Sequence, residues 1–331
     1  MSANRSRIIT ITTILLVIAG LAGGMTAVIH ATREGGPASG DGRHGQDAQP
    51  VDLAREVADY TARFAPDGGY RRPGRADRTA VARAVGLLVD GHRAQAERML
   101  SGRDFTVRTI LDRVSGHHYA EVADRTDEAV TPRGWGRVYV DLDRTPRFSI
   151  QIPHPVFDKN TEQVGVRVLR DSPGGVLVIA GAHRRAGVGN SADVAHRRDT
   201  VFYAICAELV RRGMPGLQLH GFAASTAPGY DAVASTGAGS AARSDARRLA
   251  DALGTHGFHV CRAWAEKCPV EGSTNMEGRA ADAADVPFLH VELAPGVRLE
   301  PSAADRAATA LSEITHRWAT APAATRSAPT S

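Results

Sequence analysis

The sequence has few lysines and few aromatic residues, and it has no basic cluster in which the two alternate. Lys159 and Lys267 are the two lysines among 331 residues, and aromatic residues make up 5%. This composition argues against a nucleic-acid partner, because nucleic-acid-binding surfaces gather basic residues and aromatic side chains on one face. The formal net charge of +4 is small for this length, so we expect the scattered arginines on an ordinary solvated surface.

A long uncharged, mostly apolar run occupies the amino terminus. It extends from Ile8 to Ile29 and follows Arg5 and Arg7. As a helix it would span roughly 33 Å at about 1.5 Å per residue, which is the length of a membrane segment. A cleaved signal peptide with a shorter core, Ile8 to Ala19, is the alternative. In either case residues 1–30 predict a protein anchored in the cell membrane or secreted, with the rest of the chain outside the cytoplasm.

Cysteine is also scarce, with three residues in the chain. Cys261 and Cys268 are close enough in sequence to form a disulfide, which suits an extracytoplasmic compartment. Cys206 falls on the apolar face of a predicted helix, and we expect it to be a buried free thiol.

The rest of the sequence divides into a linker, two structured regions and a tail. Residues 31–50 are rich in Gly, Ala, Asp and Pro and predict a flexible linker, and residues 321–331 predict a disordered tail. Residues 51–146 mix helical spacing of apolar residues with strand-like pieces, which indicates a small helical/β cap or an extension of a sheet. Residues 147–320 alternate strand and helix patterns. They predict an α/β domain with a mixed, mostly parallel sheet and helices on both faces.

Three side chains that can carry chemistry stand at the ends of predicted strands. They are His154 in IPHPVFD, His220 in LQLHGF and Glu292 in FLHVELAP, and open α/β sheets collect their functional groups at such strand ends. Glu292 is flanked by apolar residues of a buried strand, where an unpaired carboxylate is costly, so it needs a metal, a proton or an arginine such as Arg298. His290 shares its side of the strand and is expected to line the same pocket.

A carboxylate near His154 would complete a metal site, and the sequence offers two. Asn160 and Gln163 are spaced as a capping box for the next helix, which leaves Asp158 free to face the same point as His154. If Asp158 itself caps the helix, Glu162 supplies the carboxylate instead. Two imidazoles and a carboxylate can hold zinc with one position open for water, and a further carboxylate can take the proton of that water.

Further polar residues stand where they can border such a site. Arg184 and Arg185 follow a predicted strand directly, and metal-assisted hydrolysis needs a cation near the developing oxyanion. Asn275 lies in a glycine-flanked loop, where it can contact a substrate. Asp193 and His196 begin the next helical region, so they either join the rim of the site or cap the helix.

The order histidine, carboxylate, histidine and then glutamate in an F-x-x-x-E-L strand resembles the zinc carboxypeptidase superfamily, which includes N-formylglutamate amidohydrolases and phage-type poly-γ-glutamate hydrolases. The resemblance covers Phe148 to Leu293 and rests on short motifs. The usual H-x-x-E of the superfamily is absent. Phe157 to Thr161 is closer to the poly-γ-glutamate hydrolase version, in which the acidic residue lies further from the histidine.

This resemblance implies roles for the residues at the strand ends. His154 and His220 would bind zinc, with Asp158 as the third ligand or Glu162 in its place. Glu292 would be the general base that activates water.

The function implied is that of an extracytoplasmic zinc-dependent hydrolase acting on an amide or peptide bond of a peptide or acyl-amino-acid substrate. Arg184 would take the oxyanion role that the superfamily gives to an arginine, whereas Arg185, Asn275 and His290 would contact the substrate. The alternative is a non-catalytic binding or structural module on the same fold. The presence of Glu292 argues against that alternative, because a site that only binds needs no base.

Overall fold

The computed structural model describes residues 48–129 and 132–321, which form one sheet of ten strands covered by nine α-helices. The strands are β1 (Gln49–Val51), β2 (Phe105–Asp112), β3 (His118–Asp124), β4 (Arg137–Asp141), β5 (Phe148–Ile152), β6 (Gly175–Ile179), β7 (Gly216–Gly221), β8 (Ala232–Ser235), β9 (Val260–Arg262) and β10 (Phe288–Leu293). The helices are α1 (Leu53–Thr61), α2 (Arg75–Val89), α3 (Arg93–Ser101), α4 (Thr161–Asp171), α5 (Val201–Arg211), α6 (Arg243–Thr255), α7 (Met276–Ala283), α8 (Pro295–Arg298) and α9 (Pro301–Thr320).

The sheet is mixed, with the strand order β1-β2-β3-β4-β6-β5-β7-β10-β8-β9. Its centre is parallel, because β5 pairs with β6 and β7, and β7 pairs with β10. On either side of this centre, β4 pairs antiparallel with β6 and β8 pairs antiparallel with β10. The predicted α/β fold with a mixed, mostly parallel sheet is confirmed. The four central strands bring their carboxyl ends to one edge, where α/β proteins place their sites.

Side chains of the central strands alternate between two cores, one on each face of the sheet. On β6, Leu177 and Ile179 enter the core built with α1, α4, α6 and α9, whereas Val176 and Val178 enter the core built with α2, α3 and α5. Burial on both faces explains why β6 reads as a continuous apolar run rather than an alternating one. The helices therefore cover both faces, as the sequence predicts.

Residues 51–146 extend the sheet, which is the second of the two arrangements that the sequence leaves open. β2, β3 and β4 pair in antiparallel order, and β4 joins the central strands through the pairing of Val138 with Val178. The three helices expected in this region are α1, α2 and α3, and Gly91 follows α2 with a φ of +79°. This region and the α/β body thus share one sheet.

Parts of the predicted organisation lie outside the described residues. They are the membrane segment or signal peptide at 1–30, the linker as far as residue 47 and the tail from residue 322. Within the described ranges, no helix has both the length and the apolar composition that crossing a membrane requires.

The structure decides the pairing of the three cysteines, which the sequence leaves open for Cys261 and Cys268. Cys261 and Cys268 form a disulfide between β9 and the loop that follows it. Cys206 is a buried free thiol on α5, and burial raises the pKa of this thiol well above its usual value. It is therefore a packing residue rather than a nucleophile.

Asp112, the last residue of β2, ties three separate parts of the fold together. Its carboxylate accepts from the backbone N–H of Leu53 at 3.0 Å and from the Ser115 hydroxyl at 2.7 Å, and it forms a bidentate pair with Arg170 of α4 at 2.8 and 2.9 Å. Burial alone would raise the pKa of Asp112, but these donors lower it to about 2. The ionised carboxylate thus anchors α1 and α4 to the end of β2.

We expect Asp112→Asn to lower the free energy of unfolding by about 3 kcal/mol, because removing one partner of a buried ion pair leaves the other charge uncompensated. Urea denaturation followed by circular dichroism measures this change. The control is Asp59→Asn, which removes an exposed partner of Arg55 and should change stability by less than about 0.5 kcal/mol. Equal effects of the two variants would contradict the anchoring role.

Candidate metal centre

His154 lies just beyond β5, in a tight turn that also carries Asp158. The turn is closed by a hydrogen bond from the Asp158 N–H to the His154 carbonyl at 2.9 Å, and Val156 within it has a φ of +67°, which is costly for a β-branched residue. It brings Asp158 Oδ2 to 3.2 Å from His154 Nδ1. The histidine is 1% exposed, so this contact is removed from water.

His220 and Glu292 are brought side by side by the parallel pairing of β7 with β10. The pairing aligns Glu292 with His220 and His290 with Gln218. Because side chains alternate along a strand, all four project from the same face of the sheet. The ring of His290 stacks on that of His220, with the ring centroids 4.4 Å apart. The register thus collects two imidazoles and a carboxyl group at one strand end.

The position of the proton on His220 follows from its hydrogen bonds. The backbone N–H of Gly278 donates to Asn275 Oδ1 at 2.9 Å, so the amide nitrogen of Asn275 is the group that donates to Gln218 Oε1. Gln218 Oε1 is therefore an acceptor, and His220 Nε2, at 2.7 Å, carries the proton. Burial lowers the pKa of His220 to about 4, so the ring is neutral at pH 7 and Nδ1 keeps a free lone pair.

His154 is oriented from its far side in a similar way. Its Nε2 lies 2.8 Å from Asp193 Oδ1, and an ionised carboxylate only accepts, so Nε2 carries a proton. Asp193 also accepts from Arg184 at 2.7 Å and lies 3.2 Å from His196 Nδ1. Burial alone would raise the pKa of Asp193, but these partners hold it below its usual range. Nδ1 of His154 is left facing Asp158.

Three ligand atoms consequently converge on one point. Ligand atoms of His154, His220 and Asp158 all lie within 4.8 Å of one another, and the Nδ1 atoms of both histidines face Asp158 Oδ2. Two imidazole nitrogens and one carboxylate oxygen, with room for a fourth ligand, form the donor set of catalytic zinc sites. The residues present therefore fit a zinc ion.

The two histidines differ in whether a ring proton can satisfy the contact of Nδ1 with Asp158. Burial opposes the charged form of both rings, yet Asp158 and Asp193 raise the pKa of His154, so a proton can satisfy the contact between its Nδ1 and Asp158. His220 has no such freedom, because its Nε2 already carries the only proton of a neutral ring. Its Nδ1 lies 3.3 Å from Asp158 Oδ2, and that contact joins two lone pairs. A cation between them removes the repulsion.

Asp158, rather than Glu162, is the carboxylate that meets the histidines. In the described ranges, no set of three or more metal-ligating side chains within 4.8 Å includes Glu162. The predicted capping box is wrong, because Asn160 has a φ of +71° and its amide donates to the Arg298 carbonyl, while Gln163 donates to a carbonyl of α1. Asp158 nevertheless does not cap α4, because Asn160 is the N-cap residue and the Asp158 carboxylate faces the two imidazoles.

Glu292 is 7% exposed, and no hydrogen bond or ion pair joins its carboxyl group to another residue of the described ranges. The salt bridge to Arg298 that the sequence leaves open is not formed, because that guanidinium donates to three backbone carbonyls instead. Burial, reinforced by the charge of Asp158, raises the pKa of Glu292 well above its usual value. The carboxyl group lies within 4.8 Å of ligand atoms on His220 and His290, so it meets the converging set at His220.

Both predicted arginines border this cluster. Their guanidinium carbons lie 5.0 and 5.2 Å from the centroid of the Phe157 ring, for Arg184 and Arg185 respectively. Arg184 is held by Asp193, and its Nη1 approaches His154 Nδ1 at 3.5 Å. Arg185 is exposed, and its side chain has no hydrogen-bond or ion-pair partner in the part of the chain that the structure describes. Arg184 thus belongs to the inner edge of the site and Arg185 to its solvent side.

Asn275 and His290 are the two other predicted substrate contacts. Both are buried, but only His290 contacts the cluster of ligand residues. Asn275 accepts from the Gly278 N–H as the cap of α7 and donates to Gln218, so both ends of its amide are used within the protein. It therefore stands behind His220 as a support instead of facing a substrate. His290 does reach the cluster through its stacking on His220, and its Nδ1 has no partner among the described residues.

Two residues that orient the histidines are not assigned this role by sequence reasoning. Gln218 stands two residues before His220 and so on the same face of β7, which is a signal that points to it. Asp193 is interpreted from the sequence as a rim or cap residue, but its side chain makes no capping hydrogen bond and binds His154 instead. Asp193 and His154 are separated by 39 positions in the sequence, so no local pattern predicts this contact.

No protein-family model and no curated protein matches the chain. Solved structures do match. One is an N-formylglutamate amidohydrolase from Ralstonia eutropha JMP134, with 14% identity, 53% of this chain and 93% of the other covered, and a TM-score of 0.37. Another, from Shewanella denitrificans OS217 and described as a "putative metallopeptidase", has 14% identity, coverage of 68% and 89%, and a TM-score of 0.35. The gene product Atu2144 from Agrobacterium tumefaciens has 13% identity, coverage of 52% and 88%, and a TM-score of 0.34.

The identities of these neighbours are below 25% and their TM-scores are below 0.5. At such identities and TM-scores they carry no argument about chemistry. The chemistry of this chain has to be argued from its own residues.

We expect Gln218→Leu to weaken zinc binding by about 10- to 100-fold, because the Nε2 proton of His220 loses its acceptor and the ring loses its fixed orientation. Competition with a chromophoric chelator measures the dissociation constant. Gln163→Leu is the control, because it removes a side-chain amide that bonds a carbonyl of α1 and touches neither histidine. An unchanged dissociation constant in Gln218→Leu would show that the His220 orientation does not depend on this hydrogen bond.

Proposed function

We propose that the protein is a zinc-dependent hydrolase that cleaves an amide bond of a peptide or acyl-amino acid outside the cytoplasm. One observation supports this most directly. The neutral His220 ring and the Asp158 carboxylate turn lone pairs toward each other at 3.3 Å, beside His154 and the unpartnered carboxyl group of Glu292. This is a place for a metal ion with a base next to it.

His154, Asp158 and His220 would hold the zinc ion. Zinc bound in this way supplies Lewis acidity, which lowers the pKa of a water molecule toward about 7. Glu292 takes the proton of the attacking water and passes it to the nitrogen of the departing amine, because its carboxyl group adjoins His220 and makes no hydrogen bond or ion pair with another described residue. With an ion bound, the nearby positive charge would favour the ionised form of Glu292 against the effect of burial.

Arg184 and Arg185 would handle the negative charges of the reaction. Arg184 is fixed by Asp193 with its Nη1 directed at the cluster, so it can donate to the oxyanion that develops on the amide carbonyl. Arg185 is exposed beside Phe157 and unpaired among the described residues, which suits the carboxylate of a peptide or acyl-amino acid. His290 lines the site through its stacking on His220.

The location outside the cytoplasm is part of the proposal. The apolar segment at residues 1–30 supports it, as an anchor in the cell membrane or as a signal for secretion. The disulfide between Cys261 and Cys268 supports it independently, because disulfides persist in oxidising compartments.

We expect the purified full-length chain to bind about one equivalent of zinc and to lose it in Asp158→Asn and His220→Ala, because each change removes a ligand. Glu162→Gln should keep the metal, since this carboxylate lies outside the converging set. Metal analysis after dialysis against buffer measures the content. His256→Ala is the control, because that ring lies near Glu313 on the protein surface. Zinc retained by His220→Ala, or lost by Glu162→Gln, would contradict the ligand set.

We expect Glu292→Gln to keep zinc but to lower kcat by about 10²- to 10⁴-fold, because the variant cannot accept a proton. Hydrolysis of a panel of acyl-amino acids and peptides is the measurement. The exposed Glu266 serves as control, and Glu266→Gln should match the wild type. If the wild type binds zinc but cleaves nothing in the panel, a non-catalytic binding module is favoured. If Glu292→Gln cleaves at the wild-type rate, Glu292 is not the base.

A further inference from the structure

We propose that Arg298 is the positioning residue of the metal centre and sets the spacing between its ligands and its base. The inference rests on the proposed function, because it assigns a role toward the same zinc site. Arg298 is 6% exposed and donates to three backbone carbonyls. Its Nη1 lies 2.8 Å from the carbonyl of Lys159, its Nη2 3.1 Å from that of Phe222 and its Nε 3.2 Å from that of Leu293.

Each of these carbonyls belongs to a residue that lies one or two positions after a candidate site residue in the chain. Lys159 follows Asp158, and Leu293 follows Glu292. Phe222 comes two residues after His220. One guanidinium group therefore holds the backbone at the carboxylate ligand, at a histidine ligand and at the base.

The sheet alone does not fix these distances. The pairing of β7 with β10 aligns His220 with Glu292, but the pairing of β5 with β7 ends at Gln151 and Gln218. The turn that carries Asp158 lies beyond that last pair, so no ladder ties it to β7 or β10. The contact of Arg298 with the carbonyl of Lys159 supplies the missing link.

Arginine suits this task for a geometric reason. Its guanidinium is planar and presents five N–H groups in a fixed fork, so three carbonyls in different directions can be held at once. A lysine ammonium is a single point on a flexible stem and cannot reach all three. Among the described residues no carboxylate pairs with Arg298, and its donors are left for the backbone.

The surroundings of Arg298 are shaped around the guanidinium. A Cβ atom at Gly221, between His220 and Phe222, would overlap it. The Arg298 carbonyl accepts from the side-chain amide of Asn160, which adds a second tie to the Asp158 turn. The short helix α8 begins at Pro295, directly after β10, and turns the chain back so that Arg298 reaches over the strand ends.

The test compares Arg298→Lys with Arg133→Lys in the full-length protein. Arg133 is an equally buried arginine that also holds backbone carbonyls, but it pairs with Asp124 at the end of β3. The zinc dissociation constant is measured by chelator competition at equal folded fraction, and the visible spectrum of the cobalt-substituted protein reports the ligand arrangement. We expect Arg298→Lys to weaken zinc binding by about 10- to 100-fold and to change the cobalt spectrum. Arg133→Lys should change neither.

If Arg298→Lys does not fold, a second pair of variants tests the same inference. Gly221→Ala should displace the guanidinium and weaken zinc binding in the same direction. The control is Gly254→Ala on α6, where an added Cβ meets no atom within 4 Å. Unchanged zinc affinity and cobalt spectra in a folded Arg298→Lys or, failing that, in Gly221→Ala overturn the inference. Absence of zinc binding in the wild type instead overturns the proposed function and the inference with it.

Discussion

The structure of this site depends on the contact of one buried carboxylate, Asp158, with two imidazoles. Asp158 Oδ2 lies 3.2 Å from His154 Nδ1 and 3.3 Å from His220 Nδ1. Removed from water, a carboxylate keeps its charge only where compensating partners are fixed around it. Burial alone would raise the pKa of Asp158, and the hydrogen bond with His154 lowers it well below its usual range. The turns, strand pairs and amide networks around it all keep these three groups at this distance.

The support comes from four separate elements, which makes the arrangement rigid. The turn after β5 carries Asp158 and His154, and the β7–β10 pairing carries His220 beside Glu292. The first turn of α7 fixes the proton of His220 through Asn275 and Gln218, while α8 returns Arg298 to the strand ends. Sites built on paired strands and helix ends hold their geometry better than sites on free loops. The polar groups of the centre are thereby held in place by other residues of the protein.

The fold and part of the site could be predicted from local patterns. Alternating strand and helix signals indicate an α/β sheet, and histidines at two strand ends must meet if those strands are central and parallel. The pattern could not decide between a cap and a sheet extension for residues 51–146, because pairing partners are not encoded locally. It also left open whether Arg298 pairs with Glu292. The charge of Arg298 makes a salt bridge with Glu292 one candidate interaction. In the structure, Arg298 binds backbone carbonyls instead, and because every residue has one, no sequence motif predicts which carbonyls are bound. The capping box at Asn160 failed for the same reason, since a long-range hydrogen bond replaced the local one.

The state of Glu292 is what separates a hydrolytic site from a site that only binds. In a site that only binds, a buried carboxyl group without a hydrogen-bond partner is destabilising. The free energy cost of removing the carboxyl group from water is then offset by no contact. Arg298 lies close enough to Glu292 to influence its pKa. Its guanidinium nevertheless donates its three hydrogen bonds to backbone carbonyls and none to Glu292. The arginine thus holds Glu292 in place without neutralising it. A carboxyl group that is positioned, buried and left unpaired next to a metal-ligand cluster is available for proton transfer.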